Sequence, residues 1–109
     1  MAITTTYSGQ RKRQKTTFTE SGVSEAFRMA GDFDAGLNGV TAGGGSAKIQ
    51  RCYDDTLTAA SEFRDVKNYT ADAEEVGAHG AGIGAWYRWN VTYSGGTVVT
   101  EFRRKAASS

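Results

Sequence analysis

This chain of 109 residues contains no proline. Its turns and irregular connections must come from other residues, and fourteen glycines are there to make them. It has one cysteine, Cys52, and one histidine, His79. A lone cysteine excludes an intramolecular disulfide, and this pair alone leaves a metal site short of ligands, so no metal or other cofactor is expected. Synthesis in a reducing compartment fits such cysteine usage. No apolar run approaches the ~20 residues that cross a bilayer, so no membrane partner is expected. No hydrophobic leader core follows Met1, so cytoplasmic synthesis without a signal peptide is expected. The sequons Asn68-Tyr69-Thr70 and Asn90-Val91-Thr92 carry no meaning without secretion.

The strongest positive signal is the last quarter of the chain. Two β-rich runs flank Gly95-Gly96, a pair that tolerates the positive φ of a tight turn. With these glycines as a two-residue loop, Tyr93 faces Val98, Val91 faces Thr100, Trp89 faces Phe102 and Tyr87 faces Arg104. The opposite face carries Trp86, Arg88, Asn90, Glu101 and Arg103. A three-residue loop would set Trp89 against Glu101 instead, so burial selects the first register. The expected core face is then Tyr87, Trp89, Val91, Tyr93, Val98 and Phe102. Trp86 is expected to be exposed. An isolated hairpin is marginal, so this one needs more sheet or a partner.

The length suits one domain with a modest core. Residues 1–19 read as an extended basic arm or edge strand. Residues 20–109 read as one β-rich α+β domain, a mainly antiparallel sheet ending in the hairpin over 86–104, with one or two short helices. Ala2 to Tyr7 suits a strand, and Ser8-Gly9 a turn. The segment Arg11-Lys12-Arg13-Gln14-Lys15 then forms either a basic second strand or an arm that orders on binding. Ser21 to Ala30 reads as a short helix with Ser21 as cap and Gly31 as its stop. Residues 36–47, with five glycines, read as a flexible loop. Lys48 to Tyr53 reads as a strand in which Cys52 is a small buried hydrophobe. A helix is expected over Asp54 to Lys67, behind the Asp54-Asp55 cap. Thr70 to Val76 suits an acidic turn or short helix. Gly77 to Gly84, with four glycines, reads as a second loop.

Catalytic and cofactor patterns fail on inspection. The glycines at 77–84 precede an aromatic strand rather than a helix, and no Gly-Lys-Ser or Gly-Lys-Thr occurs. Asp32-Phe33-Asp34-Ala35-Gly36-Leu37 begins like a calcium loop, but Leu37 stands where glycine is required and Gly43 where the bidentate glutamate belongs. His79 lies in a glycine stretch with no orienting partner in sight. A Cys52–His79 enzyme is therefore a weak reading, and no catalytic residue is assigned.

Charge is segregated. Residues 1–18 carry four cations and no anion, 19–75 five cations and eleven anions, and 76–109 four cations and one anion. Basic ends on an acidic middle favour contacts between copies or with a polyanion. Arg11, Lys12, Arg13, Lys15, Trp86, Arg88 and Arg103 are the interface candidates. The leading expectation is a non-enzymatic structural protein acting in multiple copies. The alternative is a small nucleic-acid-binding module, with Arg11–Lys15 on phosphates and Tyr7 and Phe18 stacking on bases.

The Met1-Ala2-Ile3-Thr4-Thr5-Thr6 start, the Gly/Thr/Ala-rich body, the basic arm and the closing aromatic hairpin together resemble small virion proteins of tailed bacteriophages, such as head-decoration or tail components. The resemblance is one of composition and transfers no site residue. It implies a capsid or tail surface as partner and the virion as mature location.

Overall fold

The computed structural model describes residues 3–9, 12–53 and 62–104. They form eight strands: β1 (Ile3–Ser8), β2 (Arg13–Phe18), β3 (Gly22–Val23), β4 (Phe27–Asn38), β5 (Ser46–Cys52), β6 (Arg64–Tyr69), β7 (Ala73–Thr92) and β8 (Val98–Arg104). One four-residue helix, α1 (Val40–Gly43), sits between β4 and β5. All strand pairs are antiparallel, in the order β1-β2-β8-β4-β7-β5-β6, with β3 added to β7.

The sheet folds over on two long strands, β4 and β7. Their shared ladder shifts register three times between Met29 and Ala35, where Gly31 pairs with Ala81 and Phe33 with Ala78. Such irregularities bend a strand and raise its twist, and glycine accommodates the bend. The inner faces then meet in an aromatic cluster. Phe33 lies 4.6 Å from Tyr87 and 5.6 Å from Phe102, and Trp89 lies 5.6 Å from Tyr69. These rings are buried, as are Phe18, Phe27, Ile49, Val91 and Val98.

The C-terminal hairpin is present as two strands joined by a glycine turn, with Gly96 at φ 70°. Its inner face is the expected one, except that Tyr93 is only half-buried. Its ladder partners are not the expected ones. β7 pairs with β5, setting Trp89 opposite Ile49, while β8 pairs with β2 and β4, setting Phe102 opposite Gln14 and Ala35. The two strands meet through side chains across the core rather than through backbone bonds. Each gains a complete ladder on other strands, which a lone two-stranded ribbon would lack.

Several local expectations are corrected. The helix over 21–30 is absent: Gly22–Val23 and Phe27 onward are strand. Ser21 and Ser24 cap nothing; their hydroxyls accept hydrogen bonds from Tyr93 N at 2.8 Å and Trp89 N at 2.9 Å. Phe27, Met29, Phe33, Ala35 and Leu37 are all buried at odd positions, so tertiary packing on a period of two overrides a weak helical pattern. The stretch from Asp32 that begins like a calcium loop lies inside β4, and the glycine loop read at 77–84 lies inside β7. Of the helix read over 54–67, residues 54–61 lie outside the described residues, and Arg64 to Lys67 belong to β6. β2 lies between β1 and β8, with Phe18 fully buried, so Arg13–Phe18 pairs into the same sheet as the strands that follow it, and β1 lies at the sheet's edge.

The loop read at 36–47 is strand up to Asn38, then α1, then β5 from Ser46. Its glycines serve close approach. A Cβ on Gly39 would lie 2.0 Å from Thr97 O, on Gly43 2.1 Å from Gly95 O, and on Gly45 2.3 Å from Thr92 O. The segment packs backbone to backbone against the turn between β7 and β8. Asp72 holds it from outside, its Oδ1 accepting from Val40 N at 2.7 Å and Thr41 N at 3.0 Å, while Asp72 N donates to Thr41 Oγ1 at 2.8 Å. These bonds satisfy two of the amides that a helix N-terminus leaves open.

Candidate interaction surface

Period-two alternation splits β2 into two rows. Gln14, Thr16 and Phe18 are buried, while Arg13 and Lys15 are exposed. Gln14 is held inside by donating to Glu25 O at 2.8 Å and Tyr7 OH at 3.3 Å. On the outside, register places Thr6, Lys15, Glu101, Gly36 and Glu74 in one row across β1, β2, β8, β4 and β7. Ser8, Arg13, Arg103 and Asp34 form the next row.

Two arginines on this face are paired with carboxylates. Arg13 Nε donates to Glu101 Oε2 at 3.0 Å, and its second nitrogen bridges to the same oxygen. Arg103 donates to Glu74 Oε2 at 3.0 Å. A groove of about 370 Å³ runs between these pairs, lined in part by Lys15, Asn38, Glu74, Val99 and Glu101. Gly36 also lines it, and a Cβ there would meet only the Glu101 side chain, at 3.6 Å. The face thus mixes cations and anions, unlike the continuous positive stripe that follows a phosphate backbone.

The remaining candidates lie elsewhere. Arg11 is outside the described residues, and Lys12 is exposed in the turn after Gly9. Trp86 and Arg88 sit on the outer surface of the layer containing β5, β6 and the end of β7. The outward face expected for the hairpin is therefore divided between two surfaces that point away from each other. Arg88 Nε donates to Gln50 Oε1 at 2.9 Å, and its guanidinium lies 4.0 Å from the Phe63 ring centroid. Burial pushes its pKa down, yet an arginine remains cationic. Gln50 Nε2 donates to Asp65 Oδ1 at 2.9 Å, and Lys48 Nζ to Asp65 Oδ2 at 3.3 Å. These two bonds, Gln50 first, hold the Asp65 pKa below its ordinary value. Trp86 corrects the expectation of exposure: it is half-buried, with the Arg28 guanidinium 5.8 Å from its ring centroid and its Nε1 without a partner among the described residues. Cys52 is buried, as expected.

Sequence reasoning offered an edge strand within residues 1–19, as the alternative to an arm, and missed β6 as an edge of the sheet. β1 is the terminal strand at one end and β6 at the other. β6 reads Arg-Asp-Val-Lys-Asn-Tyr, with three charges and a register shift beside Ile49 and Gln50. Charges and bulges are the usual guards of an exposed edge. β1 reads Ile-Thr-Thr-Thr-Tyr-Ser, without a charge, and its six-residue ladder with β2 runs without a shift. Among the described residues, β2 is the only strand paired with β1. The β1 strand, and an edge position as one of its two readings, were legible in the sequence; the contrast with β6 was not.

Among the described residues no three His, Cys, Asp or Glu side chains converge as a metal site, and none of the helices is long and apolar enough to cross a membrane. No family model, curated protein or solved structure matches this chain.

Proposed function

We propose that this protein is a non-enzymatic structural protein that works in multiple copies, as a component of a larger protein lattice. The contrast between its two sheet edges carries this reading. One edge has the charges and irregularity that prevent strand addition, while the other has neither. An unguarded edge is a template for another chain, with backbone bonds supplying affinity. The paired charges beside it favour protein over nucleic acid as the partner, because Arg13 and Arg103 already face carboxylates. The compositional resemblance to small virion proteins of tailed bacteriophages supports a capsid or tail as the lattice.

Native mass spectrometry across a concentration series, with negative-stain imaging, tests this reading. A discrete oligomer or an ordered particle is the expected result. A chain that stays monomeric at every concentration and forms no ordered species overturns it.

A further inference from the structure

We infer that β1 pairs with β1 of a second copy of this chain, antiparallel about a two-fold axis through Thr5, so that two sheets become one. This rests on the multi-copy reading and names the partner and the register. The segment Ile3-Thr4-Thr5-Thr6-Tyr7 has chemical two-fold symmetry about its centre. A two-fold axis perpendicular to the sheet keeps each side chain on its own face. It sets Thr5 against Thr5 of the second copy, Thr4 against Thr6, and Ile3 against Tyr7. Threonine–threonine and aromatic–β-branched pairs are favourable cross-strand neighbours.

Burial agrees with this register. Ile3, Thr5 and Tyr7 face inward yet stay half-buried, because β1 ends the sheet. The second copy would cover them with the same three residues. Thr4, Thr6 and Ser8 are exposed on the outer face, which the junction would extend. Charge raises no objection. β1 has none, and in the joined outer row Lys15 and Thr6 are followed by Thr4 and Thr17 of the second copy, so no lysine opposes a lysine. Pairing of β1 with β6 would instead place three charged residues along an uncharged strand.

A charge-swap experiment on the full chain tests this. Thr4 and Thr6 oppose each other across the junction, so the double variant Thr4→Lys/Thr6→Lys places lysine against lysine at two positions. The variant Thr4→Glu/Thr6→Glu does the same with glutamate. Both positions are exposed, so circular dichroism should match the wild type. The wild type should have a mass that is a multiple of twice the 11.7 kDa chain. Each variant alone should fall to half that multiple, and an equimolar mixture should regain the wild-type mass. If the lysine variant keeps the wild-type mass, or the mixture fails to re-form it, the β1 junction is overturned while the multi-copy reading stands. A wild type that is monomeric at all concentrations overturns both.

Discussion

Trp89 and Phe102 stack at 5.7 Å between ring centroids, with planes 23° apart, although their strands share no backbone ladder. Trp89 Nε1 also donates to Glu101 O at 3.1 Å, so the indole ties β7 to β8 through both its face and its edge. The contact joins the two layers at the centre of the core, where both residues are buried.

This pair sets a first prediction. Phe102→Leu should destabilise the fold by about 1–2 kcal/mol, from lost ring volume and contact. Trp89→Phe should cost roughly 1 kcal/mol or more, since the Glu101 carbonyl loses its donor. A double-mutant cycle in urea should give a coupling of roughly 0.5–1.5 kcal/mol. A coupling of zero would mean the rings do not pack together.

The glycines separate into two kinds. Gly39 has φ 100° and its Cβ position lies 2.0 Å from Thr97 O, so Gly39→Ala should destabilise by more than about 2 kcal/mol, through backbone strain and a clash. Gly36 lies in β4, where a Cβ would make only ordinary contact with the Glu101 side chain, at 3.6 Å. Gly36→Ala should stabilise by about 0.4–1 kcal/mol, because the unfolded chain loses freedom. Thermal melts of the two variants should therefore shift in opposite directions.

Asp72 acts as a remote cap. Asp72→Ala removes the acceptor for Val40 N and Thr41 N, and should lower stability by about 0.5–2 kcal/mol. Asp72→Asn keeps an acceptor oxygen and should recover most of the loss. Hydrogen exchange at Val40 and Thr41 should rise in the alanine variant alone.

Asp65 predicts a pH dependence. Hydrogen bonds from Gln50 and then Lys48 lower its pKa in the folded state below the ordinary 3.8. Its contribution is present above pH 3.8 and is lost as pH falls from there through the folded value. Denaturation midpoints measured from pH 6 to pH 2 should fall less steeply below pH 4 in Asp65→Asn than in the wild type. Equal slopes would remove Asp65 from the acid response.

The sequence by itself determined the local alternation. Tyr87, Trp89, Val91, Val98 and Phe102 face the core as their spacing requires, because the side-chain period of a strand does not depend on which strand lies beside it. It also determined the closing turn and the burial of Cys52. The glycine-rich stretches misled, since glycine permits a loop, a bulge or a close backbone approach equally. Only the position of the β7–β8 turn, pressed against Gly39 and Gly43, shows which of these applies there. The ladder partners of β7 and β8 were likewise decided by tertiary structure, because strand pairing is nonlocal and every antiparallel neighbour offers the same backbone groups. The surface followed from that choice. By inserting β4 beside β8, the fold gathered Arg13, Glu101, Arg103 and Glu74 on one face, sent Trp86 and Arg88 to another, and left β1 alone at the edge.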